Sequence, residues 1–249
     1  MAGLFQYVLA LGDDALVLGH RLSEWSGQAP MLEEDIALSN LALDLIGQAR
    51  LFYDYAGEIE GKGRDEDALA YLRDEHNYTN LLLVEQPNGD FAATMVRQLL
   101  YAAFMHPYYE ALRNSGDRQL AAIAGKAVKE MAYHVRHAGE WVIRLGDGTQ
   151  ESRKRATAAL DDLWMYTGEM FEPDDAERGL VASGVVVDRA SIRRAWDATI
   201  DRVLAEATLR RPTDGWMQSG GRAGRHSEHL GHLLAEMQVL HRVHPGVTW

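Results

Sequence analysis

The sequence predicts an all-α protein, a four-helix-bundle core with additional helices, in a single domain spanning residues 1–249. Three observations predict it. Apolar residues recur at alternating steps of three and four, which places them on one face of a helix. No segment alternates with period two over the length of a strand. Breaks containing Gly or Pro, at Pro30, 61–63, 87–90, 146–148 and Pro173, cut the pattern into helices long enough to pack antiparallel.

The first helix is carried by Leu4, Val8, Leu11, Ala15, Leu18, Leu22 and Trp25. A second starts near Glu33, where three consecutive acids favour the positive helix end, and its inner stripe is Leu38, Ala42, Leu45, Ala49, Phe52 and Ala56. A third is predicted over 65–84. A fourth carries Met95, Leu99, Ala102, His106 and Tyr109, with a kink or break at Pro107. The fifth starts at Asp117, with Val128, Met131, Val135, Ala138, Val142 and Leu145 as its seam. A sixth covers 151–170, a short helix 174–184, and further helices 188–209 and 227–243. The run Val185, Val186, Val187 is β-prone but too short to build a sheet.

Composition narrows the function. The formal charge of −12 argues against nucleic acid and against an anionic membrane surface as partners. With no cysteine, thiolate catalysis, Fe–S clusters, zinc–thiolate sites and disulfides are excluded, so any metal would need His and carboxylate ligands. No apolar run approaches the roughly 20 residues of a membrane span. Residues 1–10 lack the basic start of a signal peptide, and a cytoplasmic location is expected.

Four-helix bundles of the ferritin-like type hold two metal ions with one Glu from each of two helices and a Glu-x-x-His from each of the other two. That set is not intact here. The inward positions read Ala15 on the first helix, Leu45 and Gln48 on the second, Ala102 on the fourth, and Met131 and His134 on the fifth. Of these only His134 is a good ligand. It is expected to be a hydrogen-bonded core histidine, with a metal shared with Glu130 as the competing reading.

Five stretches carry a resemblance along essentially the whole chain. They are Gly12-Asp13-Asp14 through Arg21-Leu22-Ser23-Glu24-Trp25; Leu38 through Asp44-Leu45-Ile46-Gly47-Gln48-Ala49-Arg50; and Asn80-Leu81-Leu82-Leu83-Val84-Glu85-Gln86-Pro87-Asn88-Gly89. Lys129-Glu130 through Tyr133-His134, and His229-Leu230-Gly231 through Leu234-Ala235-Glu236-Met237-Gln238, complete the set. The chain resembles the PaaC-type, non-catalytic subunits of bacterial phenylacetyl-CoA epoxidase complexes. The resemblance implies a ferritin-like fold and a scaffolding role beside a catalytic subunit of the same fold, in a hetero-oligomer. That sister subunit has Asp-Glu-x-x-His where this chain reads Asp44 to Gln48, and Lys-Glu-Glu-x-x-His where it reads Lys129 to His134. By that comparison Ala15, Leu45, Gln48, Ala102, Met131 and His134 mark a vestigial metal site, and Asp44 is a remnant or salt-bridge partner. The resemblance further implies that the di-iron cofactor sits in the sister subunit and none in this chain, with no catalytic residue here. Electrons would come from a separate NADPH-dependent reductase, and the complex would insert one oxygen atom of O2 into the ring of phenylacetyl-CoA. The alternative is an independent carboxylate-bridged di-iron or di-manganese oxidoreductase, with ligands drawn from Asp13, Asp14, Asp44, Glu130 and His134.

Three further features are singled out. His226, His229 and His232 share roughly one helix face, which admits a zinc site or a hydrated helix start. Glu75-His76 reads as surface or interhelix pairing. The loop 220–225, rich in Gly, either exposes backbone N–H groups with Arg222 and Arg225 to an anion or a partner's acidic patch, or is a connector. Six tryptophans exceed what one bundle core needs. Trp25 and Trp141 are expected in the core, and Trp216 and Trp249 at a partner interface, with Arg222 and Arg225 at its rim.

Overall fold

A computed structural model describes residues 2–173 and 175–247. The α-helices are α1 (Ala2–Ser23), α2 (Leu32–Glu60), α3 (Glu66–Tyr71), α4 (Leu82–Glu85), α5 (Phe91–Leu112), α6 (Arg118–Gly146), α7 (Gln150–Trp164), α8 (Asp175–Ala182), α9 (Arg193–Glu206) and α10 (Glu228–Val243). Turns of 3-10 helix lie at Glu75–Asn77, Gly168–Phe171, Arg189–Ile192 and Gly221–Ala223. The described residues contain no strand, and none of their helices is long and apolar enough to cross a membrane. The fold is all-α, as expected. It gathers into two compact units, one of residues up to Pro87 together with those from Gly220 on, the other of Asn88–Ser219.

The first unit is built on the α1–α2 hairpin. Val8, Leu11, Ala15, Leu18 and Leu22 are buried on α1, as are Leu38, Ala42, Leu45, Ala49, Phe52 and Ala56 on α2. Two glycines let the helices touch. A Cβ on Gly12 would meet the Tyr53 ring at 2.7 Å, and one on Gly19 the Ala42 carbonyl at 3.3 Å, which fixes the antiparallel register. Trp25 is only half-buried. The segment 65–84 is not one helix. It forms α3, extended backbone broken by a 3-10 turn, and α4, because its polar groups are drawn to buried acids on α1 (below).

The second unit is built on the α5–α6 hairpin, with α7 and α9 packed on it. Asp117 caps α6 by accepting from the Gln119 and Leu120 N–H groups, 2.9 and 3.0 Å. Thr149 and Ser152 cap α7 reciprocally. Helix α5 runs through Pro107 without a break. Trp141 on α6 is half-buried rather than in the core, edge-on to Phe91 at 5.0 Å. Helix α7 stops at Trp164 and α9 spans only Arg193–Glu206, both shorter than periodicity predicted, while the short helix expected over 174–184 is α8. The reason is an aromatic and guanidinium cluster. Trp164 and Trp196 are buried 5.5 Å apart, Arg193 and Arg211 lie over their rings, and Asp214 accepts from Trp164 and Arg193 at 3.0 and 2.8 Å. This ties down 210–219 against α7 and α9, at the expense of helix length. The β-prone valines form no strand. The Val185 carbonyl accepts from Ser115 Oγ and the Gly184 carbonyl from Gly116 N–H, so the segment props the α5–α6 connection.

Candidate functional site

The six positions expected to be vestigial are all buried. Ala15, Leu45 and Gln48 lie in the first unit, on α1 and α2; Ala102, Met131 and His134 lie in the second, on α5 and α6. The His134 Nδ1 is 3.0 Å from Gln98 Nε2 on α5. The contact ties the His134 ring to a core amide, as expected of a hydrogen-bonded core histidine. Glu130 is 3.8 Å from Lys126, its partner one turn back. The six positions offer one imidazole, one amide and no carboxylate. Two iron ions need several carboxylates, so these residues do not fit a di-iron group. Among the described residues no three His, Asp or Glu side chains converge as a metal site would require.

The acids nearest those positions have other partners. Asp13 and Asp14 are fully buried in the middle of α1. Consecutive helical residues point about 100° apart, so the two carboxylates reach different neighbours. Asp13 pairs with Arg73 and accepts from Tyr53 Oη at 2.7 Å and the Thr79 N–H at 2.8 Å. Asp14 pairs with Arg222 at 2.5 Å and accepts from the Leu81 N–H at 2.7 Å. A third buried acid, Glu85, accepts from Asn80 Nδ2 at 2.9 Å and the Ser227 N–H at 2.7 Å, and faces His226 Nδ1 at 2.8 Å. Arg21 donates to the carbonyls of Glu85 and His229, 2.8 and 3.0 Å. Each of these three carboxylates thus has a cation and at least one N–H donor, the condition under which a charge survives in a dry interior. Burial opposes the Arg73 charge, but Asp13 beside it outweighs that and holds the guanidinium ionised. Burial, with Asp13 adding to it, keeps the Tyr53 phenol protonated. Asp13 and Asp14, offered by the sequence as metal ligands for the alternative reading, are neutralised by arginine instead.

This network explains why 65–84 leaves the helical path. The Thr79 and Leu81 N–H groups must point at Asp13 and Asp14, which helical bonding would prevent. It also corrects the reading of the 220–225 loop. The N–H groups of Ala223, Gly224 and Arg225 donate to carbonyls within the loop, so they form no anion cradle. The glycines serve close approach: a Cβ on Gly221 would lie 2.1 Å from the Asn80 carbonyl, and one on Gly224, where φ is +70°, 2.5 Å from that of His76. Arg222 is turned inward, donating also to the Thr79 carbonyl at 2.6 Å, so it is an internal anchor rather than a rim contact. Arg225 is exposed, and Trp216 is 71% exposed in the second unit. Trp249 lies outside the described residues. The three histidines form no zinc cluster, since His226 is taken by Glu85 and Tyr78.

His226 has a titration consequence. Its Nε2 faces the Tyr78 carbonyl at 2.8 Å and its Nδ1 the Glu85 carboxylate at 2.8 Å, both acceptors. With a carbonyl at Nε2 and a carboxylate at Nδ1, both contacts favour the doubly protonated ring. Burial pushes its pKa down, but the bonds to Glu85 and Tyr78 outweigh that and leave it above the ordinary value. A raised histidine contributes stability that is complete below the unfolded value of about 6.5 and is lost as pH rises through the folded one. The melting-temperature advantage of the wild type over His226→Gln is therefore expected to shrink as pH rises above about 6.5, read by thermal melts at each pH. An advantage independent of pH would mean the ring is neutral.

An all-α chain on two long helical hairpins, with arginines on the buried acids of its first helix, defines a bundle protein of the ferritin-like type. The chain belongs to the phenylacetic acid catabolic protein family, whose model matches residues 1–249. It is 49% identical over 249 residues to one of the subunits of the 1,2-phenylacetyl-CoA epoxidase of Escherichia coli strain K12, covering 100% of both chains.

The sequence reading missed Arg73, Tyr53, Glu85 and the inward turn of Arg222. One signal was present: two adjacent aspartates inside an apolar helical run must be buried, and buried acids demand cations. Which cations was not readable, because they stand 60 and 208 positions away in the chain.

Proposed function

We propose that this chain is the structural subunit of a multicomponent bacterial monooxygenase that epoxidises the ring of phenylacetyl-CoA in aerobic phenylacetate catabolism. In this reading it binds and stabilises a di-iron catalytic subunit of the same fold, carries no cofactor itself, and works in the cytoplasm as part of a hetero-oligomer fed by an NADPH-dependent reductase. The observation that carries it is the chemistry of the interior. The ligand positions offer no carboxylate, and Asp13 and Asp14 are held by arginine. The identity over the full length to a protein named as an epoxidase subunit supports the choice of reaction and of a multisubunit assembly. Filling ligand positions with Leu and Met removes the need to hold unneutralised carboxylates in a dry core, which favours a bundle kept for its surface rather than its metal.

The test is co-expression with the catalytic subunit and an oxygenation assay on phenylacetyl-CoA, with and without this chain. Activity that needs this chain, with co-purification of the two, supports the reading; full activity without it overturns it. Elemental analysis of the purified chain is expected to find no stoichiometric iron or manganese. Close to two metal ions per chain after reconstitution would point instead to the independent oxidoreductase.

A further inference from the structure

We infer that the groove between α10 and the Asp74–Glu75 corner is the seat of a helix from the partner subunit, one that carries a Lys or Arg at its edge. The inference rests on the proposed subunit role and names the surface and the chemistry of the contact. The groove belongs wholly to the first unit. Gly231, Ala235, Val239 and Val243 follow one another at steps of four along α10, so they form a single ridge of small and aliphatic side chains. Val239 is 48% and Val243 62% exposed, although both are aliphatic and on a helix that packs its other face inward. A groove with small residues at one end and aliphatic ones at the other admits a helix close to the backbone and buries its apolar side.

Charge selects the occupant. At the lip, Asp74 is taken by Arg242 at 3.1 Å. Glu75 is not taken: its carboxylate makes no hydrogen bond or ion pair among the described residues. It lies across α10 above Gly231, where a Cβ would come within 2.8 Å of its Oε2, so the missing side chain is what leaves room for it. An uncommitted carboxylate laid across an apolar groove is matched by a cation on whatever fills the groove. A second copy of this chain is a poor match. It carries −12 overall, and its α10 brings exposed Glu228 and Glu236 toward the same lip. The occupant is therefore a helix of a different chain with a basic edge, and under the proposed function that chain is the catalytic subunit.

The test measures binding of the purified catalytic subunit to the full chain by biolayer interferometry over a salt series. Ala235→Trp plugs the groove and Glu75→Gln removes the lip charge; both positions are exposed, and both variants are expected to melt with the wild type. Ala235→Trp is expected to weaken binding at least about tenfold. Glu75→Gln is expected to weaken it several-fold at low salt and to flatten its salt dependence, an effect that a packing role alone would not produce. Leu43→Asp, on the exposed face of α2, is the control and is expected to bind as the wild type. If the wild type binds but both groove variants bind equally well, or only Leu43→Asp fails, the groove assignment is overturned and the subunit role stands. If the wild type does not bind, the subunit role falls and takes the groove with it. A wild type that dimerises through a contact abolished by Ala235→Trp would make the occupant a second copy and overturn the assignment.

Discussion

Arg222→Ala is expected to destabilise the protein by about 3–5 kcal/mol, because it strips the cation from a carboxylate with no exposure to water. Asp14 would keep the Leu81 N–H but lose its two guanidinium contacts, at 2.5 and 3.1 Å. The same change frees the Thr79 and Ala10 carbonyls from their donor. For a chain of this size the melting temperature should fall by roughly 10 °C. The damage should be smaller in acid, because an unpaired buried carboxylate is protonated more easily in the folded state than in the unfolded one. The double variant Asp14→Leu with Arg222→Met should recover much of the loss, since replacing both members of a buried pair by apolar groups is far less costly than removing one. Thermal and denaturant melts of the single and double variants decide it. A single variant that melts with the wild type would show that Arg222 does not neutralise Asp14 in solution.

Leu45→Glu should destabilise on the same principle, by adding a buried acid that has no cation instead of removing a cation from one. Leu45 is fully buried on α2, at the position where the resemblance places a metal-binding Glu in the sister subunit. The expected cost is a few kcal/mol, or a carboxyl held protonated well above its ordinary value. A raised acid contributes stability at low pH that disappears as pH climbs through the folded value, so the variant should approach the wild type near about pH 4 and fall furthest behind at neutral pH. Adding ferrous iron should not rescue it, because the other ligand positions bring no further carboxylate. An unchanged melting temperature across this range would place residue 45 outside the core.

The two variants separate what could be read along the chain from what could not. Helical periodicity found α1, α2, α5 and α6 close to their observed limits, because each of these helices buries an apolar stripe and stripe spacing is a local property. The side-chain chemistry at the positions the resemblance singles out was equally legible: Leu45, Gln48 and Met131 are not carboxylates, whatever their surroundings. Periodicity failed at 65–84, where a helical pattern gives way to a strap whose N–H groups turn to Asp13 and Asp14, and at 165–170 and 188–192, where α7 and α9 prove shorter beside the Trp164–Trp196 cluster. In both places long-range polar and aromatic contacts outweigh local propensity, which is worth only tenths of a kcal/mol per residue. The sequence by itself thus determined that the chain is helical, that positions 45, 48 and 131 bring no carboxylate, and that two aspartates lie in an apolar helix. Only the tertiary structure decided which cations answer those aspartates, that Arg222 points inward while Glu75 is left uncommitted at the surface, and that the glycines of 220–224 serve backbone contact rather than anion binding. Those outcomes depend on groups far apart in sequence meeting in an interior where an unpaired charge is too costly to keep, and no local pattern records such a meeting.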